Sequence, residues 1–442
     1  MEKNLDFSIA VLGEAVKSSP IILSKRLDDY IANYVGDHQR VIYDIDVTDE
    51  NSSQPVAPRM LMELAGPREN IFFDPSKVSA AVVTCGGLCP GLNDVIRSIV
   101  MSLWYLYGVR DIYGIRYGYR GFLPEMHLPP KKLTPDVVTN IHRHGGTILG
   151  SARGGGKRTE EIVDALERMD VNMLFAIGGD GTQRGALAIA EEIFRRKKKI
   201  SVIGIPKTID NDLSFVEKSF GFETAVSYAV QAVAGAHTEA HDALDGIGIV
   251  KVMGRESGFI AAHTALAIND VNFVLVPEVP FDLEGENGLL AALERRLDRR
   301  HHAVILVAEG AGQEHLEASA AFDASGNRKM GDVGLFLKDT IASYFRNRDR
   351  EVNIKYIDPS YIIRSAPANP NDSIYCQRLG SNAVHAAMAG KTACIISRFN
   401  NRLVHVPIHL ATSRRNKIDP ESALWRDVVE ATGQPHLMRA AR

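Results

Sequence analysis

The stretch Ile205-Pro206-Lys207-Thr208-Ile209-Asp210-Asn211-Asp212 sets two carboxylates beside a lysine and a hydroxyl, directly after the strand-like run SVIGI. A carboxylate in such a turn can take a proton from a hydroxyl, and a lysine can neutralise an anion. Asp-Asn-Asp is also ordinary turn chemistry, so the octapeptide alone leaves a plain surface turn open. Three further loops bear on the choice. Cys85-Gly86-Gly87-Leu88-Cys89-Pro90-Gly91 lies between the run AAVVT and a helix opened by Asn93. Ile177-Gly178-Gly179-Asp180-Gly181-Thr182 has the same context, with Gly185 keeping the first helical turn thin. Glycine turns before helix N-termini present backbone N–H groups to anions, although tight turns also need glycine simply to fit. Asp180, with glycine on each side, is a candidate ligand for Mg²⁺ shared with phosphate oxygens. The last loop, Ser151-Ala152-Arg153-Gly154-Gly155-Gly156-Lys157-Arg158 after TILG, which is expected as a strand, combines three glycines with basic residues and suits crowded phosphates.

The elements that must position these loops follow from periodicity. Short β-branched runs (AAVVT, MLFAI, SVIGI, IGIVKV, FVLVP and AVILVAE) alternate with helical stretches such as NDVIRSIVMSLWYLYG, TEEIVDALERM, TQRGALAIAEEIFRR and ETAVSYAVQAVAGAHTEA. Continuous apolar runs of about five residues are the mark of buried parallel strands. The fold class expected is α/β, with two doubly wound Rossmann-like lobes, parallel sheets and an N-terminal extension. Ligands in such sheets bind beyond the strand C-termini, where all four loops fall, and the constellation is expected on one lobe. Two anion cradles, a basic glycine loop and a carboxylate pair together read as phosphoryl transfer, which is mostly positioning and charge neutralisation. No GxxxxGK[ST] loop and no protein-kinase signature is present.

Composition bounds the alternatives. The 442 residues, 45% hydrophobic and 24% charged, suit a soluble globular chain, for which length suggests about three domains. A net charge of −3 gives no expectation of a nucleic-acid or membrane partner. The four cysteines suggest no disulfide framework, and Cys85 and Cys89 lack a second pair for zinc. With no signal-peptide pattern and no apolar run near the roughly 18 residues that span a bilayer, the cytoplasm is expected. NSSQPVAPRM and AGPREN, within the polar first 75 residues, read as loop.

GGLCPGLNDVIR, GSARGG, GGDGT, PKTIDND, GFETA, VKVMGRESG, PEVPF, VAEG and YIIRSAPANP, in this order, resemble the motifs of the 6-phosphofructokinase family over about residues 79 to 430. The resemblance implies transfer of a phosphoryl group to the 1-hydroxyl of fructose 6-phosphate. It implies Asp210 as general base, Thr208 at the sugar end and the migrating group, and Asp212 ordering the site and its metal. Gly86, Arg153, Gly154, Lys157, Gly179, Asp180, Gly181, Thr182 and Gly185 would serve the donor and its Mg²⁺. Met253, Gly254 and Arg255 would contact the sugar phosphate, with Arg255 also in the catalytic set. Glu309 would bond sugar hydroxyls, although a strand-terminal glutamate is as readily a solvated charge. Tyr361 and Arg364 would clamp the 6-phosphate, and Lys355 aligns with a cation lent by a neighbouring subunit, implying a homotetramer or a dimer. The expected division is an extension over 1–75, a nucleotide lobe over 76–221 with 363–412, and a sugar-phosphate lobe over 222–362 with 413–442. Shorter family members lend another arginine whose position falls near Gly246. Its place is either left unfilled here or taken by the extension.

The family uses ATP or pyrophosphate. A carboxylate in place of Gly181 would repel the α-phosphate of a nucleotide, so glycine favours ATP. Lys207 is typical of pyrophosphate users, which leaves the pyrophosphate-dependent enzyme as the alternative. GGDGT also occurs in NAD kinases and lipid kinases, but those lack MGR and YIIR. A non-catalytic nucleotide sensor would have no need of Asp210.

Overall fold

The computed structural model describes residues 5–43, 60–317 and 329–439, so most of NSSQPVAPRM lies outside the described residues. The chain divides into two compact units. The first is drawn from Met1–Thr208, Leu213–Gly221 and Pro367–Arg414, the second from Ile209–Asp212, Phe222–Ala366 and Arg415–Arg442.

In the first unit, five parallel strands stand in the order Cys394–Phe399, Ser201–Pro206, Met173–Gly178, Ser79–Thr84, Asp111–Ile115. Every residue of Ser79–Thr84, Met173–Gly178 and Ser201–Pro206 is buried, which is why these runs are continuously apolar rather than alternating. Helices Thr159–Arg168 and Asp180–Arg195 cover one face with Ile162, Leu166, Ile189 and Ile193. Helices Leu92–Met101 and Pro370–Met388 pack on each other, and the second lies on Ser201–Pro206. The described part of the N-terminal extension is woven into this unit. Leu61–Leu64 and Arg40–Ile42 extend the sheet beyond the antiparallel strand Arg402–Pro407. Leu5, Phe7 and Met62 join its core.

The run TILG is not a strand. Its backbone crosses the end of Ser79–Thr84, where Tyr117 N donates to Leu149 O and Thr84 Oγ1 to Gly150 O. A turn bond from Gly150 N to Thr147 O completes its satisfaction without a ladder.

In the second unit, Phe273–Leu275, His302–Ala308, Gly246–Val252 and Asn353–Ile357 form a parallel sheet in that order. Helix Phe222–His241 lies so close to it that a Cβ on Gly246 would come 2.0 Å from Ala240 O. No side chain fits there, so the position near which an arginine was considered is filled by helix backbone. The octapeptide IPKTIDND is also divided, contrary to the expectation of one lobe. Lys207 and Thr208 belong to the first unit, whereas Ile209–Asp212 packs with the second. The remaining boundaries fall after Ala366 and Arg414 rather than at 362 and 412. Among the described residues, no helix is long and apolar enough to cross a membrane.

Candidate active site

The first unit carries the glycine loops. Gly86 has φ +88°, and Lys207 reaches across to it, with Nζ donating to Gly87 O at 2.8 Å. Lys207 N donates to Gly178 O at 3.0 Å, so this buried lysine is held at both ends of its strand-end turn. Ser151 Oγ donates to Gly86 O at 2.7 Å, joining the SARGGGK loop to the first cradle. Asn93 fixes the approach to that loop, donating from Nδ2 to His144 O and accepting from Ile148 N at 2.9 Å. Arg153 and Lys157 stand exposed on it, whereas Arg158 is committed to Glu125 and Glu161.

Asp180 opens the helix Asp180–Arg195, and Arg184 Nε approaches its Oδ1 at 3.1 Å. A Cβ on Gly181 would meet nothing within 4 Å, so open space faces this second helical residue. Thr182 is buried, its carbonyl accepting from Tyr119 OH at 2.8 Å. The same tyrosine explains Gly185, where a Cβ would lie 2.8 Å from Tyr119 Cε2 and 3.6 Å from Gly156 Cα. Gly185 therefore lets the helix seat against the basic loop. Among the described residues no cluster of three or more His, Cys, Asp or Glu could hold a metal ion. A lone carboxylate at a helix N-terminus fits a hydrated Mg²⁺ carried by phosphates, not an all-protein cage.

The second unit carries the acid groups. Asp210 is half-buried, and its Oδ1 is closed to solvent with no hydrogen-bond partner among the described residues. Burial first, then the charges of Asp212 and Glu309, push its carboxyl up to about 7, against the opposing Arg364 guanidinium and a hydrogen bond from the Arg255 backbone. Its neighbour Asn211 takes a left-handed φ of 57°. Asp212 is buried against Arg415, whose Nε also lies 3.5 Å from Glu256, and Asn416 N donates to Asp212 O at 2.8 Å. Arg415 was not foreseen, because it stands 203 residues from its partner in sequence.

Met253-Gly254-Arg255 and Glu309 leave adjacent strands. Glu309 N donates to Val252 O at 2.9 Å and Gly310 N to Gly254 O at 3.0 Å. Gly254 has φ +129°, and a Cβ there would lie 2.4 Å from Ser257 O, so the turn admits only glycine. The structure thus brings Asp210, Asp212, Arg255, Glu309 and Arg364 together. Tyr361, on the same short helix Ser360–Ser365 as Arg364, is 82% exposed. Lys355, on the edge strand, lies 3.8 Å from Glu239 of its own chain.

The first unit has glycine-rich turns at the ends of its parallel strands, and the second gathers carboxylates with arginines. A family model described as phosphofructokinase matches residues 79–387, and the chain belongs to that family. It is 56% identical over 444 residues to the ATP-dependent 6-phosphofructokinase of Borreliella burgdorferi, covering 99% of this chain and 98% of that one. It is 46% identical to the ATP-dependent 6-phosphofructokinase of Amycolatopsis methanolica, covering 97% and 95%. A solved pyrophosphate-dependent phosphofructokinase from Marinobacter aquaeolei shares the fold, with TM-score 0.65 and 21% identity over 83% of this chain and 96% of that one.

Proposed function

We propose that the protein is an ATP-dependent 6-phosphofructokinase, moving the γ-phosphoryl group of ATP to the 1-hydroxyl of fructose 6-phosphate. The observation that carries this reading is Asp210. Its closed-off Oδ1, without a hydrogen-bond partner among the described residues, and a carboxyl raised to about 7 suit a base that accepts a proton only as a new bond forms. The acceptor oxygen loses its proton to Asp210 while its bond to phosphorus forms and the bond to the leaving diphosphate breaks, giving fructose 1,6-bisphosphate and ADP.

Gly86, Arg153, Gly154, Lys157, Gly179, Gly181, Thr182 and Gly185 are assigned to the donor side, through open backbone at strand ends and two exposed cations. Asp180 would hold Mg²⁺, which when bound neutralises phosphate charge. On the acceptor side, Arg255 and Arg364 suit bidentate phosphate contact, and Glu309 suits sugar hydroxyls. Met253 and Gly254 shape that turn, Thr208 contacts the migrating group, and Tyr361 closes on the 6-phosphate. Gly181 supports ATP as donor, because the space beside it is open and a carboxylate there would repel an α-phosphate. Lys207, bonded to the Gly87 carbonyl, is already occupied in bracing the first cradle.

The test is direct. With ATP, Mg²⁺ and fructose 6-phosphate the wild type forms the bisphosphate, and Asp210→Asn slows turnover about 10²–10⁴-fold with substrate affinity nearly kept. An Asn variant keeping more than about a tenth of wild-type kcat contradicts the assignment of the base.

A further inference from the structure

Lys251 precedes Met253 by two residues on the strand Gly246–Val252. Its ammonium sits between two carboxylates, Asp332 Oδ2 at 2.9 Å and Asp358 Oδ2 at 3.0 Å. Burial alone would make the charge easier to lose, but the hydrogen bonds the ammonium donates to Asp332 and Asp358 outweigh it and hold the lysine firmly protonated.

The two carboxylates lead to different elements. Asp332 caps the helix Val333–Arg346, accepting from Gly334 N and Leu335 N, and also accepts from Tyr356 OH at 2.9 Å. Asp358 accepts from Ser360 N at 3.0 Å and Ser360 Oγ at 2.5 Å. That pair of bonds opens the helix Ser360–Ser365, which bears Tyr361 and Arg364. The helix is six residues long, with Tyr361 and Ile362 exposed and Ile363 buried. A helix this short has little stability of its own. Buried Ile363 and the helix Phe222–His241 hold its side, and the anchor at its start sets where it begins. Arg364 nevertheless lies near enough to Asp210 to pull on its proton equilibrium.

We propose that Lys251 is a positioning residue for the sugar-phosphate end of the reaction, latching Asp358 and so fixing the helix that aims Arg364. The same strand that delivers Met253-Gly254-Arg255 then sets the register of the second arginine, so both cations are aligned from one lysine. Stability gives a weaker reason for a lysine here. Half-buried ion pairs often contribute little net free energy, because desolvation offsets attraction. The inference rests on the assignment of Arg364 to the 6-phosphate.

The experiment compares steady-state kinetics of Lys251→Met, Lys251→Arg, Asp358→Asn, Asp332→Asn, Arg364→Ala and the double variant Lys251→Met/Arg364→Ala, each with a melting curve. Lys251→Met and Asp358→Asn should raise KM for fructose 6-phosphate about tenfold, the scale of a weakened charge-assisted contact, and leave KM for ATP within about twofold. Lys251→Arg should restore most of the loss. Asp332→Asn keeps the latch to Asp358 and should stay within about twofold of wild type. The double variant should be no worse than Arg364→Ala alone, because the lysine acts through the arginine. An unchanged sugar-phosphate KM in Lys251→Met would overturn the proposal. So would additive effects in the double variant, or equal rises in both KM values with a lowered Tm. If Arg364→Ala itself leaves KM for fructose 6-phosphate unchanged, the clamp assignment fails and the proposal with it. That failure is read from a different variant than a failure of Lys251.

Discussion

At the scale of single residues, the proposed base is Asp210, and activity should turn on its protonation. Its carboxyl is raised to about 7 by burial and by the charges of Asp212 and Glu309. A base must be deprotonated to act, so kcat/KM should climb as pH rises through about 7 and level off above it. Asp212→Asn removes one of the repelling charges and should move this acid limb to lower pH, whatever it does to the plateau. A midpoint that stays or moves upward in a pH–rate profile contradicts the coupling. The same shift carries a sign for stability. Between the ordinary carboxylate range and about 7 the native state binds the proton more tightly than the unfolded chain, so this contribution declines as pH rises through that window. The acid pair was readable from TIDND. The clip from Arg415 was not, because its distance in sequence leaves no local pattern.

At the scale of elements, the helix Asp180–Arg195 is proposed to set the donor through Gly181. Gly181→Asp should fold normally, because its Cβ meets nothing within 4 Å and an acid in a first helical turn is favourable. The new carboxylate would face the α-phosphate of ATP. Two like charges about 4 Å apart repel by roughly 1 kcal/mol in water and about 4 at an effective dielectric of 20. Together with lost space, this predicts a drop of about a hundredfold or more in kcat/KM for ATP. Unchanged ATP kinetics would contradict the role of Gly181. Gly254→Ala tests the other unit. With φ +129° and Ser257 O only 2.4 Å from the new Cβ, it should cost about 1–3 kcal/mol of stability and weaken fructose 6-phosphate binding. A melting curve and KM equal to wild type would contradict this. Strands such as MLFAI and SVIGI were readable because burial on both faces leaves a continuous apolar signature. TILG carries a similar signature for a different reason: Leu149 is buried, yet Thr84 and Tyr117 satisfy the backbone and no partner strand is needed. The placement of Ile209–Asp212 with the second unit was equally hidden, since Thr208 and Leu213 on either side belong to the first and no local pattern marks the change.

At the scale of the whole molecule, the family and its two α/β units follow from many motifs in one order, whereas assembly and donor choice are proposed to rest on a few positions. Lys355, half-exposed and 3.8 Å from Glu239, is the residue proposed to serve a neighbouring subunit in a homotetramer or dimer. Dilution to a monomer, followed by light scattering, should then abolish activity, and a fully active monomer would contradict a shared site. The central claim is that this chain phosphorylates fructose 6-phosphate from ATP despite carrying Lys207. The most direct measurement compares kcat/KM for ATP and for pyrophosphate in the wild type at saturating fructose 6-phosphate, following fructose 1,6-bisphosphate. The account predicts efficient turnover with ATP and at most slow turnover with pyrophosphate. Better use of pyrophosphate than of ATP would contradict it.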